Sequence, residues 1–259
     1  MPERPSSPLG EPHDLAESLR QLLDLSEALN GLPVPPGLRW RVLAGVTAAA
    51  YAHISGVLQL ADTGNIWSGE VTLRPVLEGW MISQYVVADE TDARAASYLV
   101  KSLNETRKCL RRIRELAQTN PDQDWILSSA GVSSTDECDR RITGLSQGVQ
   151  AIQKQYGTSK FPSLEQCARS LGARTEWTYD TVYSLILSAQ THVDYGVGFR
   201  FLQAPTPDVG VRRQGMQRIM ITAYMLYLDL LRMTSTHLGQ PAAESLLRFD
   251  DMLRKHLDR

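Results

Sequence analysis

The chain has 259 residues, enough for one large domain or two small ones with a substantial core. Its 42% hydrophobic and 22% charged residues are ordinary for a soluble globular protein. A net charge of -2 gives no overall basic field for nucleic acid and leaves room only for a local basic patch.

The opening "MPERPSSPLGEPHD" has four prolines and no apolar core, so residues 1–13 read as a disordered tail rather than a signal peptide. Residues 14–259 then read as one helical domain. "DLAESLRQLLDLSEALNG" carries Leu15, Leu19, Leu22 and Leu29 at helical spacing, with Asp14 placed to cap its start and Gly31 its end. The prolines of "LPVPPG" make a stiff linker. The alanine-rich "LRWRVLAGVTAAAYAHISGVLQLAD" is a long helix whose small side chains permit close approach, which predicts a central position. "TGN" ends it, and the next helix runs from Ile66 to Ala88 with Pro75 inside, where a kink or an irregular first turn is expected.

"ETDARAASYLVKSLNETRKCLRRIRELAQ" is the most charged helix, and "TNPDQDW" ends it. A weaker helix follows from Ser134 to Tyr156, then a loop and a short helix capped by Ser163. "TEWTYDTVYSLILSAQTHVDYG" reads as a helix ending near Gly196, and "FRFLQAPTPDVG" as an extended loop. Two further helices close the chain: the apolar "VRRQGMQRIMITAYMLYLDLLRMTSTHLG" and the amphipathic "QPAAESLLRFDDMLRKHLDR", with Pro241 near its first turn. No convincing period-2 strand and no repeat is evident. The fold class is all-α, a single multi-helix bundle. Apolar runs are broken by Arg, Glu, Gln or His before a spanning length of roughly 18 residues, which points away from a membrane and toward the cytoplasm. Cys109, Cys138 and Cys167 form no metal pattern and read as reduced thiols.

"LRPVLEGWMISQY" poses the chemical question. Arg74, Glu78, Met81 and Tyr85 fall on one helical stripe, while Leu73, Val76, Leu77 and Trp80 cover the adjoining face. A helix apolar over so much of its circumference is mostly buried, and a buried charge needs a partner. Arg74 and Glu78 can serve each other at i, i+4. A second polar stripe, Thr181, Ser184, Ser188, His192 and Tyr195, runs along a helix whose other side is Val182, Leu185, Ile186, Ala189 and Val193. Two such stripes facing each other would build an internal site from Arg74, Glu78, Ser188 and His192. The competing reading makes Arg74 and Glu78 a structural pair and His192 a helix-end cation.

"LRPVLEGWMISQYVV" together with "YSLILSAQTHVD" resembles a family of bacterial helical proteins, the domain of unknown function five-six-seven-seven. The resemblance covers about residues 40–235. It implies an arginine and glutamate on one helix paired with a serine and histidine on a later one, at Arg74, Glu78, Ser188 and His192. The sequence departs from that pattern at Pro75 and Val193. The resemblance implies a fold and a site, and no reaction.

Four functional classes remain open. In a metal-independent, nuclease-like or hydrolase-like effector, His192 is the acid/base, Arg74 the anion holder, Glu78 its orienting partner and Ser188 a hydrogen-bonding neighbour. An alternative pair, Arg232 and His237 in "RMTSTH", has the spacing of HEPN-type helical ribonucleases, a spacing that accident also produces. The cluster Arg107, Lys108, Arg111, Arg112 and Arg114 could hold an RNA backbone, or be a solvated helix face. A second class acts on an anionic small molecule inside the bundle, walled by Tyr51, Trp80 and Tyr85. A metal site from His53, Glu78, His192 and Asp194 has no supporting spacing, and no Glu-x-x-His motif occurs, so no metal or cofactor is expected. The last class is a non-catalytic interaction or homodimerisation module, for which the apolar helices have surface enough.

Overall fold

The computed structural model describes residues 12–29, 34–63, 66–188, 209–238 and 242–257, with some side chains near the segment ends left out. Every regular element among them is helical, and no strand occurs. The ten α-helices are α1 (Pro12–Leu29), α2 (Leu38–Asp62), α3 (Ile66–Val87), α4 (Ala93–Thr119), α5 (Gln123–Ser129), α6 (Thr135–Tyr156), α7 (Leu164–Ser170), α8 (Ala173–Thr178), α9 (Val209–Leu238) and α10 (Ala242–Leu257). A π-helix, Tyr179–Ser188, continues directly from α8. The chain divides into two compact units, one of Met1–Val87 with Ser163–Arg259 and one of Ala88–Pro162. The expected tail at residues 1–13 lies almost wholly outside the described residues, as do His192 and the loop expected from Phe199.

In the first unit α9 occupies the centre, packing on α1, α2, α3 and α10. Its buried residues run nearly around the helix, with Ile219, Tyr224, Tyr227 and Leu231 all at 2% exposure or less. That is the pattern of a helix wrapped by neighbours. The alanine-rich α2, expected to be central, instead packs against α3 and α9 and turns Ala48, Ala49 and Ala52 to solvent. By length and composition α2 is the one described helix able to cross a membrane, a point the interrupted apolar runs had argued against. In this unit it contributes Ala50, Ile54 and Val57 to the core.

The core buries few polar groups without partners. Tyr224 donates to the Phe249 carbonyl at 2.9 Å, and Tyr227 to Ser26 Oγ at 2.7 Å. The hydroxyls of Thr47 and Thr234 lie 3.0 Å apart, joining α2 to α9. These bonds repay the desolvation of hydroxyls in apolar surroundings. Close approach of α2 and α3 depends on Gly79, where a Cβ would stand 2.7 Å from Val46 Cγ1.

Helix boundaries follow local chemistry. α1 begins at Pro12, so Asp14 lies in its first turn rather than at the cap. Pro75 sits inside α3 without ending it. The carbonyl its missing N–H cannot reach belongs to Val71, and both residues are exposed, so water can take that bond. Ser163 and Gln166 form the reciprocal capping box of α7.

The second unit packs α4 against α6, with the short α5 also against α4. α5 begins inside "TNPDQDW", where the sequence predicts only the end of the preceding helix. The small core holds Leu110, Ala117, Leu127, Val132 and Cys138. Asp89 organises the entry to α4 by accepting from Thr91 and from the Arg94 backbone N–H. Burial pushes its carboxyl up, and those bonds more than reverse this, holding it below its usual range. Ser134 caps α6 by accepting from the Glu137 N–H, and Gly157 ends it in the left-handed region at φ 60. All three cysteines are free thiols, Cys109 exposed and the others buried.

Candidate functional site

α3 and the π-helix bring together the most developed polar cluster of the first unit. Around Arg74 and Glu78 the helix buries Leu73, Val76, Leu77, Trp80, Met81 and Ile82. Arg74 Nε donates to Glu78 Oε1 at 2.9 Å, the i, i+4 pair the sequence predicts. The partner from the second helix is Tyr183. Its oxygen accepts from Arg74 Nη2 at 2.7 Å, and its hydroxyl donates to Glu78 Oε1 at 2.8 Å. Three side chains thus close a ring of hydrogen bonds.

Aromatic contacts steady that ring. The Arg74 guanidinium carbon stands 5.0 Å from the Tyr183 ring centroid, and Tyr179 stacks on Tyr183 at 5.1 Å. Tyr183 is 8% exposed, whereas the Arg74 and Glu78 side chains keep 26% and 32% of their surface. Burial lowers the Arg74 pKa, and the bonds to Glu78 and Tyr183 outweigh it, so the guanidinium is held above its ordinary value. Burial and then the bond to Glu78 push the Tyr183 pKa up, so the phenol stays protonated and donates.

Sequence reasoning missed Tyr183. At 3.6 residues per turn it fell on neither the polar nor the apolar stripe of its helix. In a π-helix the backbone bonds run i to i+5, which shifts the register of the faces. The available signal was the pair Tyr179 and Tyr183, four residues apart.

The other expected residues have separate fates. Ser188 closes the π-helix, but its side chain lies outside the described residues, as does all of His192. Tyr51 donates to Glu27 of α1, and that bond, with burial, raises its pKa. Tyr85 is half-buried on α3. Arg232 pairs with Asp250 of α10 and stands 3.6 Å from Asp229. The His237 side chain lies outside the described residues. Arg107 donates to Ser146 at 3.2 Å and Arg111 is exposed, both in the second unit. Arg114 pairs with Asp139, and Arg112 lies 3.5 Å from Glu115, so two of the five cations of the expected basic cluster have a carboxylate partner. Among the described residues no three His, Cys, Asp or Glu side chains converge as metal ligands.

Trp80 is 4% exposed and lines a cavity of about 260 Å³ in the first unit. Arg174, Trp177, Thr222, Met225 and Asp229 share that lining. The indole N–H of Trp80 is buried and has no acceptor in the structure.

An all-α protein whose first unit holds an arginine–glutamate–tyrosine ring is the class that fold and site define. The chain belongs to the family of unknown function DUF5677, which it matches over residues 41–208. That span covers α3, the π-helix and all of the second unit, and it stops short of the expected limit near 235. No curated protein and no solved structure gives a significant match.

Proposed function

We propose that the protein is a cytoplasmic, metal-independent, nuclease-like effector that engages a phosphate ester at Arg74. The observation that carries this reading is that the Arg74–Glu78 pair keeps about a quarter to a third of its side-chain surface, 26% and 32%, while the Tyr183 that bonds both is 8% exposed. A pair kept only to neutralise charge in a core gains nothing from solvent access, whereas an anion holder requires it. Glu78 and Tyr183 fix the guanidinium in one orientation, which lowers the ordering cost when an anion binds. His192, on the chain that follows the π-helix, is the acid/base group of this reading, and Ser188 its hydrogen-bonding neighbour. His192 takes the ribose 2′-hydroxyl proton as that oxygen bonds to phosphorus, and the bond from phosphorus to the 5′-oxygen breaks with a proton returned to the leaving oxygen. The products are a 2′,3′-cyclic phosphate and a 5′-hydroxyl.

The test is cleavage of a single-stranded RNA by purified wild type, Arg74→Lys, His192→Ala and His237→Ala, with thermal unfolding measured on each. The reading predicts a cleaving wild type, a raised KM in Arg74→Lys, and loss of kcat in His192→Ala at unchanged melting temperature. Cleavage lost only in His237→Ala would transfer the chemistry to the HEPN-like pair Arg232 and His237. Intact RNA with wild type would remove the nuclease reading, leaving an interaction or homodimer module or an enzyme of small anionic molecules.

A further inference from the structure

The cavity beside Trp80 differs from the Arg74 ring in its chemistry. Two indoles, Trp80 and Trp177, and the thioether of Met225 supply apolar, polarisable walls. Trp177 is 63% exposed and Met225 39%, an unusual amount of large apolar surface to leave uncovered at one opening. The charged groups there are few and of opposite sign. No ion pair holds Arg174 among the described residues. Asp229 shares Arg232 with Asp250 and stands 3.6 Å from its guanidinium, beyond hydrogen-bond distance. The Thr222 hydroxyl already donates to the Arg218 carbonyl at 2.8 Å and retains its capacity to accept. The Trp80 N–H adds a donor with no partner.

An exposed indole face, a carboxylate that only accepts and an unpaired guanidinium are three different demands on one ligand. A planar ring satisfies the first, ring N–H groups the second and an anionic group the third. A volume of about 260 Å³ suits one ring system rather than an extended cofactor, since drug-sized sites run from roughly 300 to 1,000 Å³. We propose that this cavity binds a guanine nucleotide, its base stacked on Trp177, its N–H edge on Asp229 and its phosphate on Arg174. Guanine is preferred because its edge presents an imide N–H beside an amino group, whereas uracil offers the carboxylate a single donor. A free nucleotide and an unpaired base of RNA present the same chemistry. In the second case the site rests on the nuclease reading above and supplies its base-recognition pocket.

Calorimetric titration of the full chain with guanosine monophosphate, guanosine, uridine monophosphate and ribose 5-phosphate tests this. Wild type should bind guanosine monophosphate more tightly than uridine monophosphate, and ribose 5-phosphate not measurably. Trp177→Ala should weaken it about tenfold or more, the scale of one base–aromatic stack. Arg174→Ala should weaken the nucleotide and leave guanosine unchanged, and Asp229→Asn should erase the preference over uridine. Trp177 is exposed, so its truncation leaves the fold intact, and an unchanged melting temperature verifies that. No binding at millimolar nucleotide, or equal binding by Trp177→Ala, overturns the proposal. Arg74→Lys separates it from the nuclease reading. Nucleotide binding retained with no RNA cleavage by any form keeps this site and discards that function, and cleavage without nucleotide binding does the reverse.

Discussion

The Tyr183 hydroxyl lies 2.7 Å from Arg74 Nη2 and 2.8 Å from Glu78 Oε1, so one phenol from the π-helix joins both members of an ion pair on α3. A surface i, i+4 pair contributes a few tenths of a kcal/mol. A mostly buried third partner makes the set cooperative, because each bond orients the donors and acceptors of the other two.

Tyr183→Phe keeps the ring in place and removes the hydroxyl, leaving Arg74 and Glu78 each short of one partner. The expected loss is about 1–2 kcal/mol in urea unfolding. A double-mutant cycle with Glu78→Ala should show a coupling of about 0.5 kcal/mol or more. Strict additivity of the two changes would mean that the ring is geometric and carries no cooperative energy.

The α2–α3 contact makes a steric prediction. Gly79→Ala places a methyl 2.7 Å from Val46 Cγ1, and a β-branched side chain has little freedom to turn away. Overpacking of this kind costs about 1–3 kcal/mol. Adding Val46→Ala should restore much of it, and a melting temperature that does not recover in the double variant would locate the damage elsewhere.

Acid stability should depend on Glu137. The Ser133 side chain, the Ser133 backbone N–H and Arg141 all bond its carboxylate, which lowers its pKa to about 2 from 4.5. A folded pKa below the unfolded one gives stability that is present above the unfolded value and fades as pH falls from about 4.5 toward 2. Glu137→Gln should therefore unfold more easily than wild type at pH 7, with the gap closing across that window. A gap independent of pH would contradict the assignment to Glu137.

At the alkaline end Tyr227 has the opposite sign. Burial pushes its phenol up to about 12 from 10, against the small lowering from Ser26. A raised folded pKa gives stability that is complete below the unfolded value and is lost as pH rises from about 10 toward 12. Burial raises Tyr224 as well, so part of the alkaline slope should survive in Tyr227→Phe. The denaturant midpoint followed from pH 9 to 12 should fall less steeply in the variant than in wild type.

Much of the architecture is legible residue by residue. α2 spans the same residues, Leu38 to Asp62, that its apolar pattern marks out. The starts of α6 and α7 were marked by Ser134 and Ser163, whose side chains accept from N–H groups that a helix start exposes. The Arg74–Glu78 pair was legible for the same reason, since i, i+4 neighbours meet wherever a helix forms. Spacing within one helix is local information, and a chain carries it directly.

The site's third member was not legible, because helical faces across the bundle depend on the period of each helix and on how helices pack. Tyr179–Ser188 winds as a π-helix packed against α3 and α8, a winding that a 3.6-residue period does not anticipate. The place of α9 at the centre and the indole walls of the cavity have the same origin. By itself the sequence determined most of the helical segments, though not α5, and which charges pair within a turn. Only the tertiary structure decided that Tyr183 closes the ring, because a contact over 105 residues of chain is set by packing rather than by local spacing.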